Sequence, residues 1–174
     1  LPYFPYLDTS DFIISTKDNT YFGLGRVSRP DPAKYAADTW NIFAQIKSPN
    51  PKKVFVLGYN KMIESKVGKP PAGLDFLVWA AGTIPIQEFY PKLDVMVHKT
   101  GGSRESYCRV LIEAMCSGVV PIVERDYAFP EILGKDDRMD YLMCKTSDEM
   151  IIKTSALAYE PERLTWYKTL VREY

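Results

Sequence analysis

Cysteine, histidine and long apolar runs are all scarce in this chain of 174 residues. Its three cysteines, Cys108, Cys116 and Cys144, include no Cys-x2-Cys pair, which argues against a disulfide framework and a structural zinc site. No apolar run approaches the ~20 residues that a membrane-spanning helix needs. No charged leader with an apolar segment is visible at the start of the sequence. From the cysteine usage we expect a reducing, cytoplasmic environment.

An excess of charge of one sign is also missing, since 22 basic residues balance 22 acidic ones. The zero net charge offers no basic surface for a nucleic acid or an anionic membrane. With 46% hydrophobic and 25% charged residues, the composition is globular, and the length suits one domain spanning residues 1–174. The chain begins without methionine and stops within a helical pattern, so we expect this domain to be part of a longer protein.

Two motifs are missing as well. No Gly-x-Gly-x-x-Gly follows the first apolar run, which argues against a dinucleotide-dependent dehydrogenase. No Asp-x-Asp occurs, and the aspartates between 136 and 140 form no convincing set of metal ligands. His98 is the only histidine, and at a strand end we expect it to be a hydrogen-bonded wall residue rather than a general base.

Short apolar runs alternate with segments of helical pattern along the chain. After an extended opening segment at 1–18 with a short strand at 12–14, strands are predicted at 20–24, 53–58, 75–79, 94–98, 119–123 and 139–143. Helices are predicted at 33–46, 60–66, 85–93, 105–118 and 128–133, then from Ser147, which is the expected cap, and from Pro161. Continuous apolar strands alternating with helices indicate a parallel sheet of about six strands covered on both faces.

Loops that follow the predicted strands are the expected ligand-binding segments, because open parallel sheets bind ligands at the carboxyl ends of their strands. Four such segments contain small or charged residues: 25–26, 80–82, 99–102 and 124–125.

The segment from Glu105 to Gly118 has the strongest functional pattern. It lies between two apolar runs and reads as a helix that ends at Gly118. Apolar residues recur on one face of this helix at Val110, Leu111, Ala114 and Met115.

Two carboxylates bracket this predicted helix, since Glu113 follows Glu105 by eight residues. At ~1.5 Å per residue, they would stand about 12 Å apart along the axis. The free amides of Tyr107, Cys108 and Arg109 at the helix N-terminus would favour a phosphate between them. This spacing suits a nucleotide diphosphate sugar, and the alternative is a surface helix with two solvated glutamates.

The same segment resembles the Glu-x7-Glu motif of retaining glycosyltransferases that have the GT-B fold. The sequence from Glu105 to Val123 is similar to the family 4 version of that motif, as is Phe129-Pro130-Glu131-Ile132 after it. The segment 25–34, which begins Gly-Arg, resembles the first-loop motif of the same family. The resemblance covers about residues 21–174 and only the C-terminal half of such an enzyme.

The resemblance implies a Rossmann-like, three-layer α/β/α domain that binds a nucleotide sugar. It also implies transfer of a hexose to a hydroxyl acceptor, with retention at the anomeric carbon, in polysaccharide biosynthesis. The N-terminal acceptor domain of a GT-B enzyme is absent from this chain, and any peripheral membrane contact would belong to that half. The isolated domain is therefore expected to be inactive, and neither a metal nor another cofactor is expected.

The resemblance also assigns roles to charged side chains. Arg26 and Lys34 would stabilise the departing diphosphate, and Arg29 could replace either of them. Glu105 would orient the sugar, and Glu113 would hold the ribose.

Backbone contacts complete the expected site. The amides of Ser106, Tyr107 and Cys108 would bind phosphate, and Gly25 lies beside the first-loop arginine. The loop containing Ala81 and Gly82 would receive the nucleobase.

Two other functions remain open at this point. One is a nucleotide-sugar epimerase of the same overall fold, which would need further acid/base residues besides His98. The other is a non-catalytic Rossmann-like interaction module.

Overall fold

The structure, a computed structural model, describes residues 12, 14, 17, 19–106 and 108–174. The strands are β1 Phe22–Val27, β2 Lys52–Leu57, β3 Asp75–Trp79, β4 Val95–His98, β5 Val120–Glu124 and β6 Met143–Cys144. They form one six-stranded parallel sheet in the order β3-β2-β1-β4-β5-β6. Strand order reverses direction between β1 and β4, and such a reversal creates a crevice at the strands' carboxyl ends.

Helices flank this sheet: α1 Thr39–Gln45, α2 Lys61–Val67, α3 Ile86–Phe89, α4 Arg109–Cys116, α5 Phe129–Leu133, α6 Ser147–Tyr159 and α7 Pro161–Glu173. Short 3-10 segments occupy Pro32–Lys34, Tyr90–Lys92 and Asp137–Leu142. The predicted three-layer, Rossmann-like α/β/α architecture with six parallel strands is therefore confirmed.

Apolar burial is concentrated around the middle of the sheet. Every residue of β1 and β4 is buried, and α4 adds Leu111, Ala114 and Met115 to the same core. The edge strand β3 is different, because its Leu77 and Val78 are 44% and 42% exposed. The expectation that every strand is covered on both faces is therefore wrong for β3, which pairs only with β2.

The first strand lies later than the predicted span 20–24. Its register with β2 continues from Phe22 opposite Lys52 to Val27 opposite Leu57, so hydrogen bonding to β2 extends it by three residues. Gly25 and Arg26 consequently lie inside β1 and not in a loop after it, which corrects the prediction.

The helix predicted at 33–46 is interrupted. The 3-10 turn ends at Lys34, and α1 begins only at Thr39. The physical reason is that distant groups bind the carbonyls which a continuous helix would use. The amides of Gly101 and Ser103 donate to Ala33 O, and the Arg26 guanidinium donates to Lys34 O.

Other element boundaries also need correction. Residues 137–142 form a 3-10 segment capped by Asp136, so the sixth strand is Met143–Cys144 and not 139–143. Thr146, rather than Ser147, caps α6 by accepting from the Glu149 amide at 3.1 Å. The predicted helix 85–93 is divided into α3 and a 3-10 segment that contains a proline. The predicted strand at 12–14, like most of the opening segment, lies largely outside the described residues.

Candidate functional site

A cavity of about 450 Å³ opens at the carboxyl ends of the strands, where the strand order reverses. Strand ends and the loops after them supply most of its lining: Val27, Ser28, Arg29, Lys34, Leu57, Ala81, Gly82, His98 and Glu105. The first turns of α4 complete it with Cys108, Arg109, Val110 and Glu113. Both predicted carboxylates therefore face one cavity.

The α4 helix begins four residues after Glu105, at Arg109, with Cys108 as its N-cap. Glu105 thus stands in the preceding loop, and the prediction that the helix begins at residue 105 is wrong by four residues. The first-turn amides of a helix have no intrahelical carbonyl partner. In this structure those amides belong to Arg109 and Val110, which line the cavity.

Glu113 is a buried carboxylate with two donors. Arg109 Nε donates to Glu113 Oε1 at 2.7 Å, one helical turn away. Tyr90 Oη lies 3.3 Å from Glu113 Oε2 and 2.9 Å from Val110 O. Burial, aided by the nearby carboxylate, raises the pKa of Tyr90 well above its usual value, so its hydroxyl remains a donor at neutral pH.

Glu105 is held by a cation at the other end of the cavity. Lys34 Nζ lies 2.6 Å from Glu105 Oε1, and His98 Nε2 lies 3.8 Å from the same oxygen. Burial alone would raise the pKa of Glu105, but His98 and Lys34 outweigh it and hold the pKa at about 2. The carboxylate is therefore ionised at neutral pH and can accept hydrogen bonds from hydroxyl groups.

The loop before Glu105 is fixed by long-range hydrogen bonds. Glu124 Oε1, at the end of β5, accepts from the Thr100 amide at 2.8 Å. On the far side, Ala128 N donates to Glu105 O at 3.0 Å. These contacts position the Glu105 backbone even though it lies outside the helix.

His98 is 1% exposed and has an unusual set of contacts. Among the described residues neither of its ring nitrogens finds a hydrogen-bond partner. Its ring packs edge-on against Phe129 with centroids 5.7 Å apart. Burial, together with the charge of Arg26, lowers the pKa of His98 to about 4, so the imidazole is neutral at neutral pH.

Arg26 is buried beneath the cavity and is not part of its lining. Its guanidinium donates to Lys34 O and lies 4.5 Å over the Tyr35 ring. Burial lowers the pKa of Arg26 from its usual value, while Tyr35 opposes that effect. As observed, Arg26 supports the backbone of Lys34, and its predicted contact with phosphate stays a prediction.

The remaining predicted residues are distributed as follows. Ala81, Gly82 and Cys108 line the cavity, whereas Gly25 lies within β1, where an added Cβ would come 2.2 Å from Leu93 Cδ1. Ser106 lines a neighbouring cavity of about 580 Å³ that also includes Glu105. Tyr107 lies outside the described residues.

Sequence reasoning missed several lining residues. Val27 and Leu57 are the last residues of their strands, so correct strand ends would have revealed them. The contact of Arg109 with Glu113 was available from their i, i+4 spacing. The contact of Tyr90 with Glu113 had no local signal, because 23 residues separate the two.

Within the described parts of the chain, no group of three or more His, Cys, Asp or Glu residues is arranged to hold a metal ion. Among the same residues, none of the helices combines the length and the hydrophobicity that crossing a bilayer requires.

No protein-family model matches this chain, and no curated protein matches it either. Solved structures do resemble it. HepE from Anabaena, determined with UDP-glucose, has a TM-score of 0.72 and 15% identity over 96% of this chain and 50% of HepE. This chain thus spans about half the length of HepE.

Two isolated domains resemble the chain over nearly their whole length. The C-terminal domain of LpcC, a glycosyl transferase group 1 family protein from Francisella tularensis, has a TM-score of 0.71 and 20% identity over 97% of this chain and 95% of that domain. The catalytic domain of cholesterol-α-glucosyltransferase from Helicobacter pylori has a TM-score of 0.61 and 15% identity over 87% of this chain and 96% of that domain. At these identities the likeness shows the fold alone, the Rossmann-like α/β fold that these glycosyltransferase structures share.

Proposed function

We propose that this chain is the nucleotide-sugar-binding domain of a retaining family 4 glycosyltransferase, which transfers a hexose to a hydroxyl acceptor. One observation carries the proposal. A single cavity at the reversal of strand order contains Glu105, Glu113, Lys34 and the first turn of α4. The GT-B-type fold, shared with HepE in its complex with UDP-glucose, supports the same assignment.

Glu113 would hold the ribose. Its carboxylate already accepts from Arg109 and Tyr90, and a carboxylate has about four acceptor sites. The remaining sites suit two vicinal hydroxyl groups. The neighbouring loop of Ala81 and Gly82, with the side chain of Leu57, provides a largely apolar surface for a nucleobase.

The diphosphate would lie over the first turn of α4. Unpaired amides and the helix dipole favour an anion there. The Lys34 ammonium, next to Glu105, would stabilise the negative charge that develops on the leaving diphosphate. The ionised Glu105 would accept hydrogen bonds from the sugar and orient it for transfer.

The acceptor would bind to a separate N-terminal domain, in line with the half-length match to HepE. On this proposal the isolated chain binds donor but transfers little sugar, and the full enzyme acts in cytoplasmic polysaccharide biosynthesis without a bound metal. Comparing the rate of sugar transfer by the isolated chain with that of the full-length protein tests whether transfer requires the separate acceptor domain.

Calorimetric titration with UDP, GDP and ADP tests the donor site. We expect at least one of these nucleotides to bind, and Glu113→Ala to weaken that binding about tenfold or more, because a hydrogen bond to a charged group is worth about 1.5–3 kcal/mol. The matched control is Glu162→Ala, which removes an exposed carboxylate on α7 and should leave the affinity unchanged.

The same titration separates the alternatives. If the folded protein binds none of the three nucleotides, the proposal fails. A non-catalytic interaction module would show no effect of Glu113→Ala. An epimerase is less well supported, because the buried His98, with a pKa of about 4, is a weak base at neutral pH.

A further inference from the structure

His98 brings to the cavity wall two polar atoms that no described residue uses. It is 1% exposed, and neither Nδ1 nor Nε2 has a hydrogen-bond partner among the described residues. Buried polar groups in folded proteins are nearly always hydrogen-bonded, so each exception requires an explanation. Because His98 lines a cavity, a bound ligand can supply the partner that the protein does not.

Packing holds the imidazole in place. His98 is the last residue of β4, where it lies opposite Val123 of β5. Its ring packs edge-on against Phe129 with centroids 5.7 Å apart, and both of these neighbours are buried. The ring is therefore kept away from solvent, and its unused nitrogens are available at a fixed position.

A gap separates His98 from Glu105. His98 Nε2 lies 3.8 Å from Glu105 Oε1, beyond the ~3.2 Å that a good N–H···O hydrogen bond spans. One oxygen atom can stand ~2.8 Å from both, so a single hydroxyl group can bridge them. It would donate to the ionised carboxylate and accept from the imidazole, in the tautomer that carries its proton on Nε2.

The chemistry of this gap favours a hydroxyl group over a phosphate. A phosphate oxygen only accepts hydrogen bonds, and beside the Glu105 carboxylate its negative charge would be repelled. The imidazole is neutral at neutral pH and brings no charge to offset that repulsion. On the proposed function the ribose lies at Glu113, so the hydroxyl group between His98 and Glu105 belongs to the sugar.

We propose that His98 is a specificity-determining residue, which binds one hydroxyl group of the transferred sugar together with Glu105. This inference rests on the proposed function, which places the sugar beside Glu105, and adds a second side chain to that contact. A sugar without this hydroxyl group would leave both side chains unpaired and would bind less tightly, since a site built to bind a hydroxyl group rejects analogues that lack it.

The test compares UDP with UDP-glucose by calorimetry, and GDP with GDP-mannose or ADP with ADP-glucose if those nucleotides bind. His98→Leu should weaken nucleotide-sugar binding roughly three- to tenfold, the range for one lost hydrogen bond, and leave binding of the nucleoside diphosphate unchanged. His98→Gln keeps an N–H donor and should recover part of the loss.

Thr154→Val is the matched control. Thr154 is also buried and has a hydroxyl group without a partner among the described residues, but it lies on α6 and does not line the cavity. Its replacement should leave both affinities unchanged.

Monodeoxy analogues of the nucleotide sugar identify the hydroxyl group. One analogue should bind wild type more weakly than the intact compound. For that analogue His98→Leu should cause no further loss, because the two changes remove the same interaction. An equal loss from His98→Leu for the intact sugar and for every monodeoxy analogue would contradict the inference.

The titrations with His98→Leu have distinct meanings. Unchanged nucleotide-sugar binding would overturn the inference and leave the proposed function standing. Equal losses for the diphosphate and the nucleotide sugar would also overturn it, because the effect would not depend on the sugar. The same holds if wild type binds a nucleoside diphosphate but none of the three nucleotide sugars. If wild type binds none of the nucleotides, the proposed function and this inference fail together.

Discussion

His98 illustrates how burial controls the charge of a single side chain in this site. Water is excluded from the imidazole, and the nearby Arg26 disfavours a second positive charge. The pKa of His98 consequently falls to about 4, compared with 6.5 when the chain is unfolded. Glu105 Oε1, 3.8 Å from His98 Nε2, raises the pKa of His98, but this effect is smaller than the lowering by burial and Arg26.

This difference in pKa predicts how stability depends on pH. Between pH 6.5 and 4 the unfolded chain binds a proton at His98 that the folded chain does not, so this contribution to stability is lost as the pH falls. From pH 7 to pH 4.5 the loss should be roughly 2–3 kcal/mol. Urea unfolding of wild type and His98→Gln at both pH values measures it, and the variant should show a smaller drop.

The interval from pH 7 to 4.5 separates the effect of His98 on stability from that of Glu105. The stability that comes from the lowered pKa of Glu105 is present above about 4.5 and declines only as the pH falls towards 2. Parallel losses for wild type and His98→Gln between pH 7 and 4.5 would show that His98 is not responsible for the dependence.

The backbones just after β1 and β2 come into close contact, and this contact, called the joint below, shapes one wall of the cavity. Ser28 N donates to Leu57 O at 3.1 Å, directly after β1. Gly58, the next residue after β2, has a φ of +94°, and a Cβ there would lie 1.7 Å from Ser28 O. Close approach of the two backbones thus depends on the absence of a side chain at this position.

Gly58→Ala should destabilise the protein by more than about 2 kcal/mol, because backbone strain and a clash with backbone add together. The matched control is Gly68→Ala, at the end of α2. Gly68 also has a positive φ, of +78°, but its added Cβ would meet no atom within 4 Å. We expect a smaller loss there, about 1–2 kcal/mol, because only the backbone strain contributes. Similar unfolding free energies for the two variants would contradict this account of the joint.

The shape of the cavity depends on the strand order of the whole sheet. Its wall combines residues from the ends of β1, β2 and β4 with the loop after β3 and the start of α4. Since these segments are brought together only by folding, a bound nucleotide must stabilise the folded state.

A nucleotide at one hundred times its dissociation constant should stabilise the fold by about 2.7 kcal/mol. For a domain of this size, that corresponds to a rise in Tm of roughly 5–10 °C. Thermal unfolding with the nucleotide that calorimetry identifies measures the rise in Tm. At the same nucleotide concentration, Glu113→Ala should show a smaller rise. An unchanged Tm for wild type under saturating nucleotide would mean that the ligand does not bind selectively to the folded site.

The periodicity of short segments is sufficient to predict the parallel sheet, the buried face of α4 and the end of that helix near Gly118, whose φ is +69°. These features depend on a residue's own backbone preferences and on which of its neighbours are apolar. The spacing of Glu105 and Glu113, and the resemblance of the segment that contains Lys34 to a known motif, identify these three residues as candidates before their positions are known.

Contacts between distant segments determine the rest. The Lys34–Glu105 pair joins residues 71 positions apart, and carbonyls bound by Arg26, Gly101 and Ser103 interrupt the helix predicted at 33–46. Such partners leave no trace in a local pattern, because each hydrogen bond depends on where the folded sheet brings another part of the chain. Only folding therefore buries Arg26 below the cavity and leaves Arg29 at its surface.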